Sequence, residues 1–238
     1  MLGKLIKYDL LKYKYFMLFM LSAPVAALIT KFTNSIPDKS AAIVIIDKFM
    51  SGITIGLSIG LLINLFMRIL VNFEKSLYLD ESYLTHTLPV KRGTVYSSKA
   101  LSSSLLITVS YAVCVMSLCI VDSESYAAMG YRAMLLALLE IICIVMTAFL
   151  GIILGNRENS KKKGFSILFS VIIYFIEQIP LVAIIFIAFG NIIFTVNDDA
   201  IPQKLKNYML VFAAVYAVYI AVLFVLGRKS LEKGVNVD

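Results

Sequence analysis

The chain is a succession of long apolar runs separated by short polar stretches. A helix that crosses the hydrocarbon core of a membrane needs about 20 predominantly apolar residues. Six runs approach or exceed this length: Tyr15–Thr30, Phe49–Val71, Ala100–Val121, Ala133–Gly155, Phe165–Phe194 and Tyr208–Gly227. The pattern therefore predicts an all-α membrane protein with six transmembrane helices in a single transmembrane domain, residues 1–238.

The first and fifth runs depart from the simple pattern. The first is short and follows several lysines, and Ser22 and Ala23 come after its apolar core, as in a signal peptide. The five later runs favour an uncleaved anchor. The fifth run is too long for one span and too short for two, and Pro180 interrupts it. We expect one span, kinked near Pro180, followed by a short outer or re-entrant helix.

Residues 1–14 form a unit of their own. Leu2, Leu5, Ile6 and Leu10 recur at helical spacing, and lysines fill much of the rest. This spacing predicts an amphipathic helix that lies in the inner membrane interface before the first span. The alternative is a solvated, frayed N-terminus.

The distribution of charge gives the orientation. Only 16% of the residues are charged, against about 25% in a soluble domain. The net charge of +7 would suit a nucleic-acid partner, but the basic residues cluster at the ends of the apolar runs. With the N-terminus inside, 16 of the 22 Lys and Arg residues fall in inner segments. The positive-inside rule thus predicts that both termini are cytoplasmic, and we expect no nucleic-acid partner.

Several kinds of catalytic site are excluded by the residues present. The chain has no Walker A sequence, and its single histidine, His86, rules out the H-E-x-x-H zinc motif. The segment GLSIG at 56–60 matches the G-x-S-x-G motif of serine hydrolases, but no histidine lies near it. Its glycines instead repeat every four residues, which favours close approach of another helix to Gly52, Gly56 and Gly60. We expect no catalytic residue and no metal.

Two carboxylates lie inside apolar runs, at Glu140 and Glu177. Charged groups are costly in lipid and mark functional positions by default. Counted from the ends of their runs, both fall in the outer half of the membrane at similar levels, where they could face a wet cavity or each other. Together with Gln178 they are candidates for a cavity that contacts a cationic or amphipathic cargo. The alternative is a structural hydrogen bond to Gln178 or a tyrosine.

The longest inner loop, residues 72–98, mixes acidic and basic residues with leucines and tyrosines. That composition favours a docking surface, and the alternative is a loop that only packs on the inner helix ends. Within it, ESYLTHTLPVKRGTVYSSK resembles the loop after the second span of bacterial type-2 ATP-binding-cassette exporter permeases. The amphipathic N-terminus, the six runs, the broken fifth run and the charged tail LGRKSLEKGVNVD are also similar to that family, so the resemblance covers nearly the whole chain.

The resemblance implies a half-transporter of a bacterial cell membrane. It would pair with a second copy or a sister permease and dock a separate ATPase subunit, which would bind the ATP and magnesium. The N-terminal helix would be the elbow helix of the family. A coupling helix would run from about Asp80 to Leu88 and end at Pro89. The residues implied in ATPase coupling are Glu81, Tyr83, Leu84, His86, Leu88, Pro89, Val90 and Arg92.

The cargo implied is amphipathic, and we favour an antimicrobial peptide, which would be exported or expelled for self-protection. Fold and charge alone also allow a secondary transporter driven by an ion gradient. Such a transporter typically carries internal repeats, and none is visible between the first three runs and the last three. An intramembrane enzyme is disfavoured by the single histidine.

Overall fold

The computed structural model describes residues 2–36, 41–79, 81–83, 89–158, 162–189 and 201–233. Its helices are α1 (Leu2–Leu11), α2 (Lys14–Met20), α3 (Ser22–Asn34), α4 (Ala41–Tyr78), α5 (Arg92–Val121), α6 (Ser123–Gly155), α7 (Lys162–Phe189) and α8 (Ile201–Glu232).

Six helical stretches among the described residues are long and apolar enough to cross a membrane. They are Lys14–Asn34, Ala42–Tyr78, Arg92–Val121, Gly130–Gly155, Lys162–Ile187 and Tyr208–Glu232. The prediction of an all-helical protein with six spans is confirmed in these terms, and the chain is a multi-pass membrane protein by length and composition of its helices. A helix suits lipid because it satisfies all its backbone hydrogen bonds within one segment.

Many serine and threonine hydroxyls inside these helices are satisfied locally. Thr54, Ser58 and Ser104, for example, each donate to the carbonyl oxygen four residues earlier, at 2.9–3.0 Å. This bond removes the cost of an unpaired hydroxyl in an apolar setting. Serine and threonine can therefore occur often in the spans without interrupting them.

The first span consists of two helices, α2 and α3, that meet at Leu21. Pro24 lies in the first turn of α3 and has no N–H with which to bond the carbonyl of Met20. The backbone tightens there, since Leu21 N donates to the Leu18 carbonyl, three residues earlier, at 3.1 Å. The apolar pattern predicted a single short span at this place.

The bundle has two parts that share α5. In the N-terminal part, α3 packs on α4 and α5, and α1 packs on α5. In the C-terminal part, α6 packs most extensively on α7 and α8. The apolar window of α6 is 56% buried and that of α7 only 11%. Helix α6 is thus the central helix, and α7 presents most of its surface to the surroundings.

The helix ends that flank the predicted inner loop continue beyond the apolar runs. Phe73 and Leu77 near the end of α4 are buried, as is Tyr96 near the start of α5. Phe73 stacks on Phe149 of α6 with ring centroids 3.9 Å apart, and Tyr96 packs on Phe224 of α8 at 5.8 Å. The predicted loop at 72–98 was therefore too long, because only residues 79–91 separate α4 from α5.

The fifth run was expected to contain one span, kinked near Pro180. The chain passes through Pro180 within the single helix Lys162–Phe189. The expected outer or re-entrant helix would have to lie in residues 190–200, which are outside the described residues. A break does occur at Gly130, whose φ of 74° and ψ of 155° are non-helical. This φ favours glycine, and it separates the fourth span from the turn of helix before it.

Candidate functional site

A buried ion pair fastens α1 to the start of α5. Lys99 Nζ lies 2.6 Å from Asp9 Oδ1, and Ser98 Oγ donates to Asp9 Oδ2 at 3.0 Å. Only 11% of the lysine side chain and 12% of the aspartate side chain are exposed. We call Asp9, Ser98 and Lys99 the α1 clasp. Sequence reasoning missed Asp9, although a single acid on a helix otherwise built of apolar and basic residues was the available signal.

A second contact joins the end of α1 to the segment after α4. Lys12 Nζ lies 2.5 Å from Glu81 Oε2. This hydrogen bond is the main reason that the pKa of Glu81 lies below its ordinary value, and nearby lysines act in the same direction. Burial raises the pKa of Tyr13, which follows Lys12, to about 12, so its hydroxyl stays protonated and donates to the Arg68 carbonyl at 3.4 Å.

The residues implied in ATPase coupling are only partly described. Glu81 is held by Lys12, Tyr83 is 75% exposed, and Pro89 and Arg92 are exposed. Val90 is half-buried. The remaining predicted residues Leu84, His86 and Leu88 lie outside the described residues, as does most of the predicted coupling helix.

The carboxylate of Glu177 is buried among α6 and α7, with 7% of the residue exposed. Thr147 Oγ1 lies 2.8 Å from one carboxylate oxygen and 3.1 Å from the other, and Cys143 Sγ approaches to 3.6 Å. The Thr147 hydroxyl also lies 3.0 Å from the Cys143 carbonyl. The bonding partners of Glu177 are thus a threonine and a cysteine, rather than the glutamine or tyrosine of the structural alternative.

Glu140 and Gln178 do not share this hydrogen bond. Glu140 precedes Cys143 and Thr147 on α6 by three and seven residues, about 4–11 Å along the helix axis. The Glu177 carboxylate therefore lies nearer the end of α6 than Glu140, rather than level with it. Gln178 Nε2 is buried without a hydrogen-bond partner among the described residues, and its side chain lies beside the Tyr216 hydroxyl of α8.

A cavity of about 450 Å³ lies between α4, α6 and α7. Its wall is mostly apolar. The polar exceptions are Thr147, Ser166, Ser170 and Tyr174, with Glu74 and Lys163 towards the ends of their helices. Thr147 lines this cavity and also binds Glu177, so its hydroxyl connects the cavity wall to the buried carboxylate. The size falls within the range of small-molecule pockets, about 300–1,000 Å³.

The glycines singled out for helix packing do not pack within the described chain. A Cβ added at Gly52, Gly56 or Gly60 would meet no described atom within 4 Å. The helix packing predicted at these glycines is thus not found among the described residues. The close helix approach is at Gly151 and Gly155 of α6, where an added Cβ would collide with the backbone of α7. Their segment, GIILG, has the same four-residue spacing, which was the available signal.

Comparison of the chain with protein-family models, with curated proteins and with solved structures finds no match in any of the three. The proposals below therefore depend on the contacts described above and on the resemblance noted in the inner loop.

Proposed function

We propose that this protein is the permease subunit of an ATP-binding-cassette exporter, in which a separate ATPase docks on the segment between α4 and α5. The observation that carries the proposal is the pair of contacts made by α1. The α1 clasp ties this helix to the start of α5, and the Lys12–Glu81 contact ties it to the segment after α4.

These contacts suit a mechanical role. The segment 79–91 joins the ends of two spans, so a partner that moves it displaces α4 and α5 together. Because α1 is bound to both sides of the segment, it moves with them. The stacked rings of Phe73 and Phe149 then carry the displacement into the central helix α6. A rigid, packed path of this kind can convert closure of an ATPase pair into rearrangement of the spans.

The proposed cargo is amphipathic, and a cationic antimicrobial peptide fits best. The cavity between α4, α6 and α7 offers apolar surface for it, and the Thr147 hydroxyl and the carboxylate behind it offer polar contacts. Two such subunits, or this one and a sister subunit, would line a path across a bacterial cell membrane, with both termini cytoplasmic.

Co-purification with an ATPase encoded beside this chain tests the docking. We expect Tyr83→Asp to abolish co-purification, because it places a charge on an exposed ring in the proposed docking surface. Tyr131→Asp is the matched control, since Tyr131 is similarly exposed, at 71% against 75%, and lies at the opposite end of the spans. Absence of any ATPase from the wild-type preparation under mild extraction would contradict the proposal.

Transport by the assembled complex tests the cargo. Glu177→Gln keeps the size of the side chain and its contact with Thr147 but removes the ionisable group. We expect it to lower transport of a cationic peptide while folded yield stays near that of the wild type. A fall in yield alone would show that Glu177 has only a structural role.

A second candidate function is secondary transport driven by an ion gradient. The specific observation in its favour is the same buried carboxylate, since such groups serve as proton sites in transporters. Purified protein in vesicles separates the two. Flux that requires added ATPase and ATP supports the exporter, and flux driven by a pH gradient alone supports the secondary transporter.

A further inference from the structure

A groove between the first two spans has an arginine at one end and glycines along its floor. It has a volume of about 440 Å³ and is lined by Tyr15, Phe16 and Phe19 of α2 and by Gly56, Gly60 and Arg68 of α4. The distance from Gly56 to Arg68 along α4 is about 18 Å at 1.5 Å per residue. The groove is therefore long, narrow and charged at one end only.

The charged end lies at the start of the first span. The Arg68 guanidinium carbon is 5.1 Å from the centre of the Phe16 ring, in the first turn of α2. Lys14, at the N-terminal end of this span, lies 5.9 Å from the Tyr15 ring that lines the groove. Apolar residues follow in the other direction. Arg68 thus lies where the membrane interface would meet the first span, and its positive charge faces the groove.

The orientation of Arg68 leaves donors for a ligand. Its Nε donates to Asn64 Oδ1 at 2.7 Å, and Phe16 covers one face of the guanidinium. The side chain is held in place by these two contacts, while the residue as a whole is exposed. A fixed guanidinium whose terminal N–H groups have no hydrogen-bond partner among the described residues matches the paired oxygens of a phosphate.

We propose that this groove binds an anionic phospholipid, with the phosphate on Arg68 and an acyl chain along Gly60 and Gly56. Because these glycines have no side chains, they leave the space that the acyl chain occupies. The proposal is independent of the transport function.

The shape and charge of the groove favour a lipid over a second copy of this protein. The rings of Tyr15 and Phe19 stand beside the glycines and are exposed, so a helix about 10 Å wide cannot approach the floor as it would a flat glycine face. The sequence also has no acidic residue in 14–34 or 48–73. Packing this face on its own copy would bring no carboxylate from these spans to Arg68, whereas an anionic lipid supplies the missing charge.

Lipid binding to the purified full-length chain, measured by native mass spectrometry with phosphatidylglycerol and phosphatidylcholine, tests the proposal. We expect the wild type to bind phosphatidylglycerol more tightly. Arg68→Gln should weaken that binding by at least about five-fold, as expected for one basic residue at an anionic surface. It should weaken phosphatidylcholine binding less, because the choline group of that lipid balances the charge of its phosphate. Arg132→Gln is the matched control, because Arg132 also lies over an aromatic ring, that of Tyr131 at 5.8 Å, near the opposite end of the spans.

Two glycine variants test the position of the acyl chain. Gly60→Leu should fill the groove and weaken the binding of both lipids, while Gly52→Leu, one turn beyond the groove on the same face, should bind as the wild type does. Each position has open space for a side chain, so both variants should fold. If Arg68→Gln does not fold, Gly60→Leu still tests the proposal.

Phosphatidylglycerol binding that is equal in Arg68→Gln and the wild type would overturn the proposal. So would a loss of dimer in both glycine variants without a change in lipid binding, which would assign the glycine face to a second copy.

Discussion

The α1 clasp should dominate the docking of α1. Asp9 and Lys99 are each about nine-tenths buried and their charged atoms are 2.6 Å apart. Removing one partner of a buried pair leaves an uncompensated charge and costs roughly 3–5 kcal/mol. Because about a tenth of each side chain is still exposed, we take the lower end of this range, about 3 kcal/mol, as the cost of breaking the pair. This cost corresponds to more than a hundredfold change in the equilibrium constant for docking of α1. Asp9→Asn and Lys99→Met should each have this effect.

Hydrogen exchange of the N-terminal peptide measures this equilibrium. Helix α1 has 10 residues, too few to be stable alone in water, so its amides should exchange much faster when it undocks. The double variant Asp9→Asn, Lys99→Met should recover most of the protection, because it leaves no buried charge unpaired. Exchange rates within about two-fold of the wild type in both single variants would refute the reasoning. So would a double variant whose loss of protection equals the sum of the losses in the two single variants.

Three further predictions concern the other contacts. Lys12→Gln should raise the pKa of Glu81 towards 4.5, its ordinary value. Since that pKa is lowered in the folded protein, the contact contributes its full stabilisation of the fold above pH 4.5. The stabilisation is lost as the pH falls through the lowered value. If an NMR titration gave Glu81 the same pKa in the variant and the wild type, the prediction would be contradicted. Gly151→Ala should destabilise the bundle by about 1–3 kcal/mol, because the added Cβ would lie 2.8 Å from a backbone nitrogen of α7, whereas Gly164→Ala, with open space, should be neutral; equal thermal unfolding of the two would show that α7 moves aside. Thr147→Val should cost about 1–3 kcal/mol by removing the hydrogen-bond donor to a buried carboxylate, and denaturant unfolding against Thr147→Ser checks it.

The six spans could be predicted from the sequence because lipid demands long apolar runs. The ends of the helices could not be predicted, because charged residues lower the local hydropathy and so suggest the start of a loop. Glu74 and Lys75 lie in α4 although they are polar, since Phe73 and Leu77 on the same turns are buried against neighbouring helices. The extension of α4 beyond its apolar run thus depends on contacts with other helices, which cannot be seen in the hydropathy of a single run.

The candidate sites were predictable in part. Glu177 was identifiable as a carboxylate within an apolar run, but its partners Thr147 and Cys143 lie 30 and 34 residues away, and only the packing of α6 on α7 brings them together. Glycine spacing was equally ambiguous. GITIGLSIG and GIILG share the four-residue repeat, and the choice between them depends on which helix face meets a neighbour.

The break at Leu21 divides the first span into segments with different attachments. Helix α3 is pinned to α4 by a hydrogen bond between the hydroxyls of Thr30 and Thr54 at 3.1 Å and by another from Thr33 to Asp47 at 3.1 Å. Helix α2 continues from α1, which follows α5 through its clasp. A displacement of α1 would therefore bend the first span at Leu21, while α3 keeps its position on α4. The span would bend at this point rather than move as one rigid helix, and Pro24 would determine how far α2 can move relative to α3.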